Sequence, residues 1–445
     1  MPGVSRASWG IAVHSIDRRE RLFTLNADTL LVPASVAKLF TVATAADAVG
    51  WDYRFTTVVQ AAGPIVDGVL RGDLIVVGSG DPSIGGRAGD DLMGWSEGIK
   101  AAGIHRIEGR VIGDDDSIEE PRPQNAWAWD DLGYPTGALF GALNLAENRS
   151  TITVAPGSAA GAPAMLTIDP RLSFRVISNR VVTGPPGSSP LLWPEQRPGD
   201  PALTIAGTIP SGAASAVVPV AVGNPTLWFA NALRSRLIRD GVDVLGAAAD
   251  IDDVVPAPAR DGMVIYTHRS RTLGEIAHPL LKDSINLYAE ALLRLNAAPG
   301  VFPTNDAALE GLRKRLDAWG IPSTSYQLVD GSGLSRRDTV SAEAALMLLE
   351  RHADTSPFVA GLPIAGVDGS LATRMKGTPA ENNVRAKTGT MSNIRTLAGY
   401  VTTRDGERLA FVVLINNFEG TGANANAALD AIAISLASFS RARRS

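Results

Sequence analysis

Apolar and polar positions follow clear rhythms at the two ends of the chain and lose them in the middle. Residues 9–15 and 21–25 are β-like runs around a polar turn at 17–20, the pattern of a hairpin. Pro33-Ala34 then introduces an Ala-rich helix over 35–49, with apolar Val36, Leu39, Phe40, Val42 and Ala43. Near the other end, 384–387, 397–402 and 408–415 read as three successive strands, and 423–439 as a closing amphipathic helix. These terminal elements predict one antiparallel sheet sandwiched by helices, built from both chain ends, with the middle inserted into it.

Between residues 51 and 264 the texture changes to Gly- and Pro-rich sequence with short β-like runs at 74–77, 110–112, 151–154, 203–205 and 217–222. Residues 185–190 and 194–201 read as loops, and 227–238 returns to helix. No internal repeat is present. At 445 residues the chain exceeds the roughly 250–300 that one core sustains, so two or three domains are expected.

Charge and composition remove several function classes. The net charge is −5, Lys and Arg are scattered along the chain, and the tail Arg441-Ala442-Arg443-Arg444 is read as a solvated terminus. A nucleic-acid partner would need a concentrated positive face. The chain has no cysteine, which excludes thiol nucleophiles, thiolate metal sites and disulfides. No apolar run approaches the roughly 20 residues of a membrane span, and the first residues lack the pattern of a signal peptide.

Common hydrolase signatures are also missing: there is no HExxH and no Gly-x-Ser-x-Gly, and His14, His105, His268, His278 and His352 sit in no ligand spacing. What remains is serine and lysine. Ser35 precedes Lys38 by three residues, Ser284-Ile285-Asn286 is the one Ser-x-Asn, and Lys387 opens Lys387-Thr388-Gly389. Alone, the first reads as an ordinary helix pair and the last as a turn. The joint random expectation of the three motifs is about 0.02, before their order is required.

Physics explains why these residue types belong together. A serine hydroxyl needs a base to become a nucleophile. At a helix start, Ser35 meets free N–H groups and the positive end of the dipole. Lys38 is one turn on, among apolar neighbours. Desolvation there, with Lys387 as a second cation, is expected to lower its pKa and leave a neutral amine as base. Ser284 can relay a proton to a leaving amine, and Asn286 can hold a substrate amide. Lys387 and Thr388 suit a carboxylate, while Gly389 lets a substrate backbone approach the strand. The N–H groups of Ser35 and Thr390 form the expected oxyanion hole.

At these positions the chain resembles the class C low-molecular-mass penicillin-binding proteins, the D-alanyl-D-alanine carboxypeptidase/endopeptidase family. The resemblance rests on Pro33-Ala34-Ser35-Val36-Ala37-Lys38-Leu39-Phe40-Thr41, Asp283 to Glu290, Asp330-Gly331-Ser332-Gly333-Leu334-Ser335-Arg336, Ala365 to Leu371, and Val384 to Thr390. It extends to Val77-Gly78-Ser79-Gly80-Asp81-Pro82-Ser83, which alone reads as a structural Gly-rich loop. Val36-Ala37 stands where many relatives carry a polar pair. The resemblance implies an α+β, multidomain fold, with a transpeptidase-like (serine β-lactamase-like) catalytic domain carrying an inserted pair of smaller domains. The expected bounds are 1–52 with 265–445, 53–150 with 221–264, and a third domain over 151–220 nested in the second.

The resemblance further implies peptidoglycan stem peptides as substrates, β-lactams as covalent inhibitors, and neither metal nor organic cofactor. It places the protein outside the cytoplasmic membrane, with an export segment upstream of residue 1. It does not separate carboxypeptidase from endopeptidase. A second site is expected at 125–134, where Trp129, Asp130 and Tyr134, faced by Met391, would take the aliphatic arm and amine of a diamino-acid side chain. The plainer reading of that segment is a loop pinned by its aromatics. A β-lactamase or esterase on the same scaffold, and a non-catalytic relative, are the competing functions.

Overall fold

The computed structural model describes residues 3–87, 92–172, 174–256, 258 and 261–441, so the basic tail beyond Arg441 lies outside the described residues. The chain forms two compact units. One joins Met1–Tyr53, Gln124–Ala126 and Thr272–Ser445; the other joins Arg54–Pro123 and Trp127–Arg271.

The first unit is built on a five-stranded antiparallel sheet in the order Glu20–Leu25, Ser8–Ser15, Arg408–Asn416, Ile394–Thr402, Arg385–Met391. Both termini contribute strands, as their alternation predicts. The central strand Arg408–Asn416 is buried from Leu409 to Asn416 because helices cover both faces. The closing helix Gly422–Ser438 buries Ala425, Ala428, Leu429, Ala433 and Ala437, a stripe at helical spacing that seals one face.

Helix Ala37–Val49 differs from it. Every residue from Ala37 to Ala46 is buried, so this helix runs through the interior rather than over it. A 3-10 turn, Ala34–Val36, leads into it, and Gly50, at φ +84°, ends it. Helix Leu273–Asp283 opens with a Thr272/Glu275 capping box and stops at Ser284, which takes a left-handed conformation (φ +62°) before helix Asn286–Arg294 begins.

The second unit carries a mixed five-stranded sheet, Ala248–Asp250, Val111–Asp114, Asp73–Val77, Thr56–Ala62, Met263–Arg269, packed with helices Met93–Ala101 and Pro225–Arg239. Its sequence between residues 149 and 221 forms two three-stranded sheets of its own. Buried Ile152, Val181, Leu203 and Val218 there join one apolar cluster with Val59, Leu74, Trp95 and Phe229.

Pro194, expected in a loop, sits instead in strand Leu191–Gln196. That strand is at the edge of its sheet, where a proline's missing N–H costs no ladder bond. Among the described residues, no helix is long and apolar enough to cross a membrane.

Candidate active site

The three motifs, separated by hundreds of residues, meet in the first unit. The interior helix delivers Lys38 at 0% exposure, and the turn before it leaves Ser35 half-buried. Lys38 Nζ lies 2.8 Å from Ser35 Oγ, 2.7 Å from Asn286 Oδ1 and 2.7 Å from the carbonyl oxygen of Ser332. Two of those partners, an amide oxygen and a carbonyl, can only accept. A neutral amine has two N–H groups for them and one lone pair left, which faces the one partner able to donate, the Ser35 hydroxyl.

Burial holds the Lys38 amine down at about 7, while Asp330, Glu290 and Asp338 pull it back upward. Lys387 is also at 0% exposure, and its Nζ donates to Ser284 Oγ and to the Thr388 carbonyl, both at 2.9 Å. Burial first, then Lys38, pushes Lys387 well below the ordinary lysine value. The repulsion expected to act on Lys38 is thus borne by Lys387, and burial does the work at Lys38. By contrast, buried Lys282 pairs with Asp368 at 2.7 Å. Among the described residues, neither Lys38 nor Lys387 has such a carboxylate partner. Two unpaired buried lysines side by side are expensive, and such expense marks functional sites.

Backbone strain accompanies the two serines. Ala34, before the nucleophile candidate, has φ +47°, a region costing a non-glycine residue about 1–2 kcal/mol. Ser284 is itself left-handed. The turn is gripped from two sides. Thr396 Oγ1 donates to the Pro33 carbonyl at 2.8 Å, and a Cβ at Gly333 (φ +75°) would lie 2.0 Å from the Ala34 carbonyl oxygen.

Lys387-Thr388-Gly389 lies within strand Arg385–Met391 rather than at a strand's end, on the edge of the sheet. The glycine has a structural reason beside the expected approach of a substrate backbone. A Cβ at Gly389 would meet Thr396 Oγ1 at 2.0 Å and the Pro33 carbonyl at 2.7 Å, so the protein's own nucleophile turn fills that space. Thr390 is exposed and Met391 half-buried on the same strand.

Motif reading gives no role to several residues of the site. Glu290, Asp330 and Asp338 are all at 0% exposure. Glu290 accepts the N–H groups of Gly331 (3.1 Å) and Ser332 (2.9 Å), and Asp330 those of Ser332, Gly333 and Ser335. They mould the loop whose Ser332 carbonyl holds Lys38. Burial pushes Glu290 up to about 7, and lifts Asp338 well above the carboxylate range. A signal existed: Glu290 is a lone acid in the apolar run Leu287 to Leu293. Ser370 Oγ lies 2.6 Å from Thr388 Oγ1, pairing two hydroxyls that no motif links.

Trp129, Asp130 and Tyr134 belong to the second unit, and Met391 to the first. Trp129 is 49% and Tyr134 36% exposed, so these rings are offered to solvent rather than pinned in a core. Burial, then Asp130 and Asp131, raises the Tyr134 hydroxyl. Asp81 in the Gly-rich loop is buried, accepts Ser83 N–H at 2.9 Å and pairs with His268 at 3.3 Å, which makes it part of the second unit's framework.

Residues 1–437 match the profile of the D-Ala-D-Ala carboxypeptidase 3 (S13) family. The chain is 33% identical to a D-alanyl-D-alanine carboxypeptidase of Actinomadura sp. (strain R39), over 98% of this chain and 82% of that one. It is 26% identical to the D-alanyl-D-alanine carboxypeptidase DacB of Haemophilus influenzae, over 92% and 85%. Among solved structures, penicillin binding protein 4 (dacB) of H. influenzae shares the fold at a TM-score of 0.86 and 24% identity, covering 98% of this chain and 97% of that one. A predatory endopeptidase of Bdellovibrio bacteriovorus acylated by penicillin G shares it more distantly, with a TM-score of 0.51, 15% identity and coverage of 98% and 94%.

Proposed function

The chain belongs to the D-Ala-D-Ala carboxypeptidase 3 (S13) family of serine peptidases, and from that premise we propose that Ser35 is its nucleophile and Lys38 its base. The observation that carries this reading is the Lys38 amine, buried, held by two obligate acceptors and 2.8 Å from Ser35 Oγ.

In the proposed reaction, neutral Lys38 takes the hydroxyl proton as Ser35 Oγ attacks the carbonyl carbon of the penultimate D-alanine. The N–H groups of Ser35 and Thr390 stabilise the oxyanion. Ser284, held by Lys387, passes its hydroxyl proton to the leaving nitrogen as the peptide C–N bond breaks and takes up the one Lys38 accepted, which leaves Lys38 neutral again. Water then hydrolyses the ester and restores Ser35. Asn286 fixes Lys38 and orients the substrate amide. Thr388 and Ser370, with Lys387 behind them, receive the carboxylate next to the scissile bond. That carboxylate belongs to the terminal D-alanine of a stem peptide, or to the diamino acid of a cross-link, so one subsite serves carboxypeptidase and endopeptidase reactions. These substrates lie outside the cytoplasmic membrane, where the enzyme acts.

A β-lactam opens by the same attack, but its leaving nitrogen stays tethered and the ester persists. Intact-mass spectrometry after incubation with benzylpenicillin should therefore show one adduct on the wild type and none on Ser35→Ala. An adduct of equal yield on the variant would place the nucleophile elsewhere, and rapid multiple turnover would indicate a β-lactamase. The side-chain pocket of Trp129, Asp130 and Tyr134 is part of the same proposal. Asp130→Asn should raise KM for a peptide with a free side-chain amine, and not for its N-acetylated counterpart; equal effects on both would remove the pocket.

A further inference from the structure

The second unit carries a group of carboxylates for which the peptidase chemistry has no use. Strands Val111–Asp114 and Ala248–Asp250 are parallel neighbours, so the residues that follow them emerge at the same edge of the sheet. Asp115, Asp250 and Asp252 bring carboxylate oxygens within 4.8 Å of one another, and so do Asp115, Asp116 and Glu120. Asp115 is common to both groups.

Asp115 is 2% exposed. Its Oδ2 accepts the Thr226 hydroxyl, while its Oδ1 is shielded from solvent and has no hydrogen-bond donor. An ionised oxygen buried without a donor is costly, and native proteins rarely leave one. Asp250 is 7% exposed and accepts the Asn224 amide at 2.8 Å. Among the described residues, no Lys, Arg or His pairs with Asp115, Glu120, Asp250 or Asp252. The nearby start of helix Pro225–Arg239 supplies only about half a positive charge. Asp115, Asp250 and Asp252 thus lack a compensating side-chain cation among the described residues, and one buried oxygen of Asp115 lacks a donor.

We propose that Asp115, Asp250 and Asp252, flanked by Asp116 and Glu120, bind a hard divalent cation, calcium foremost, that clamps the two strand ends together. The donors are all oxygen, which selects calcium or magnesium over the softer metals. Calcium tolerates six to eight oxygens in irregular arrangements, and so suits ligands from two separate segments. The ion bonds the buried Asp115 oxygen and screens the repulsion among its neighbours. It acts on the stability of the second unit and takes no part in the serine chemistry of the first.

The test uses the full chain, stripped with EDTA and dialysed, then titrated with calcium chloride at constant ionic strength. Calorimetry should report one site per chain with Kd of about 10⁻⁵–10⁻³ M, in the range of sensor and extracellular calcium sites. At a hundredfold excess over Kd, Tm should rise by roughly 5 °C. Asp115→Asn/Asp250→Asn should lose the response while showing a higher Tm without cation, because repulsion has been removed. Asp252→Asn, at an exposed position, should weaken binding at least tenfold. The proposal is overturned if calcium and magnesium both leave Tm unchanged, as they would where shared protons neutralise the group. It is equally overturned if Asp252→Asn and wild type bind calcium alike.

Discussion

Lys38 works as a base, in the role proposed for it, through a balance of opposing local effects. Burial disfavours its ammonium, and three buried acids favour it, leaving the amine at about 7 rather than 10.5. Below pH 7 the amine is protonated and cannot take the serine proton; above it the lone pair is free. Acylation by a penicillin should therefore speed up as pH rises through about 7, and Lys38→Ala should lower its rate by about 10²–10⁴-fold. Glu290 acts on Lys38 from behind, by charge and by fixing Ser332. Glu290, itself pushed up to about 7, is partly ionised there and raises the Lys38 pKa to that extent, so Glu290→Gln should move the midpoint of the pH–rate profile modestly to lower pH. An unchanged midpoint, with only Tm reduced, would leave Glu290 a purely structural role.

Two elements must sit in close register for that chemistry: the turn Ala34–Val36 and the edge strand Arg385–Met391. Gly389 and Thr396 form the joint between them, since the hydroxyl that holds the Pro33 carbonyl occupies the place of a Gly389 side chain. Gly389→Ala should break that hydrogen bond and push the strand outward. The expected cost is about 1–3 kcal/mol of stability, typical of overpacking, together with a fall in penicillin acylation that exceeds the loss of folded protein. Measuring both by thermal melt and adduct mass separates them. A variant of wild-type Tm and acylation rate would show that the joint carries no load.

The insertion leaves and re-enters the first unit at one place in the molecule. Leu273 N–H donates to the Tyr53 carbonyl at 2.8 Å, and Gly274 N–H to that of Trp51 at 3.0 Å. The first unit also has its own apolar core, from Ile11 and Val13 to Phe411 and Leu429. Replacing residues 54–271 by a short Gly/Ser linker should therefore leave a chain that folds and still forms the Ser35 adduct, though more slowly, because Gln124–Ala126 is lost from the first unit as well. A chain that aggregates, or folds without labelling, would show that the second unit is needed to build the site. The nested third domain over 151–220 stands as a proposal: that stretch has separate sheets but shares a core with its surroundings.

Local pattern determined much of this protein in advance. Alternation placed the terminal strands within a few residues, and three short motifs named Ser35, Lys38, Ser284, Asn286 and Lys387, which the fold brings into one bonded cluster or its immediate neighbour. Such features are legible because helix and strand periods, and the chemistry of a nucleophile beside its base, act over a few residues. What only the tertiary structure decided depends on residues distant in sequence sharing one dry volume. Burial along every side of the interior helix sets Lys38 near 7. The Glu290–Asp330–Asp338 group, the Ser370–Thr388 pair and the fit of Gly389 against Thr396 arise the same way. The carboxylates around Asp115 meet because two strands from distant parts of the chain happen to run parallel side by side. Periodicity tells which face of an element turns inward; which charges it meets there is set by packing.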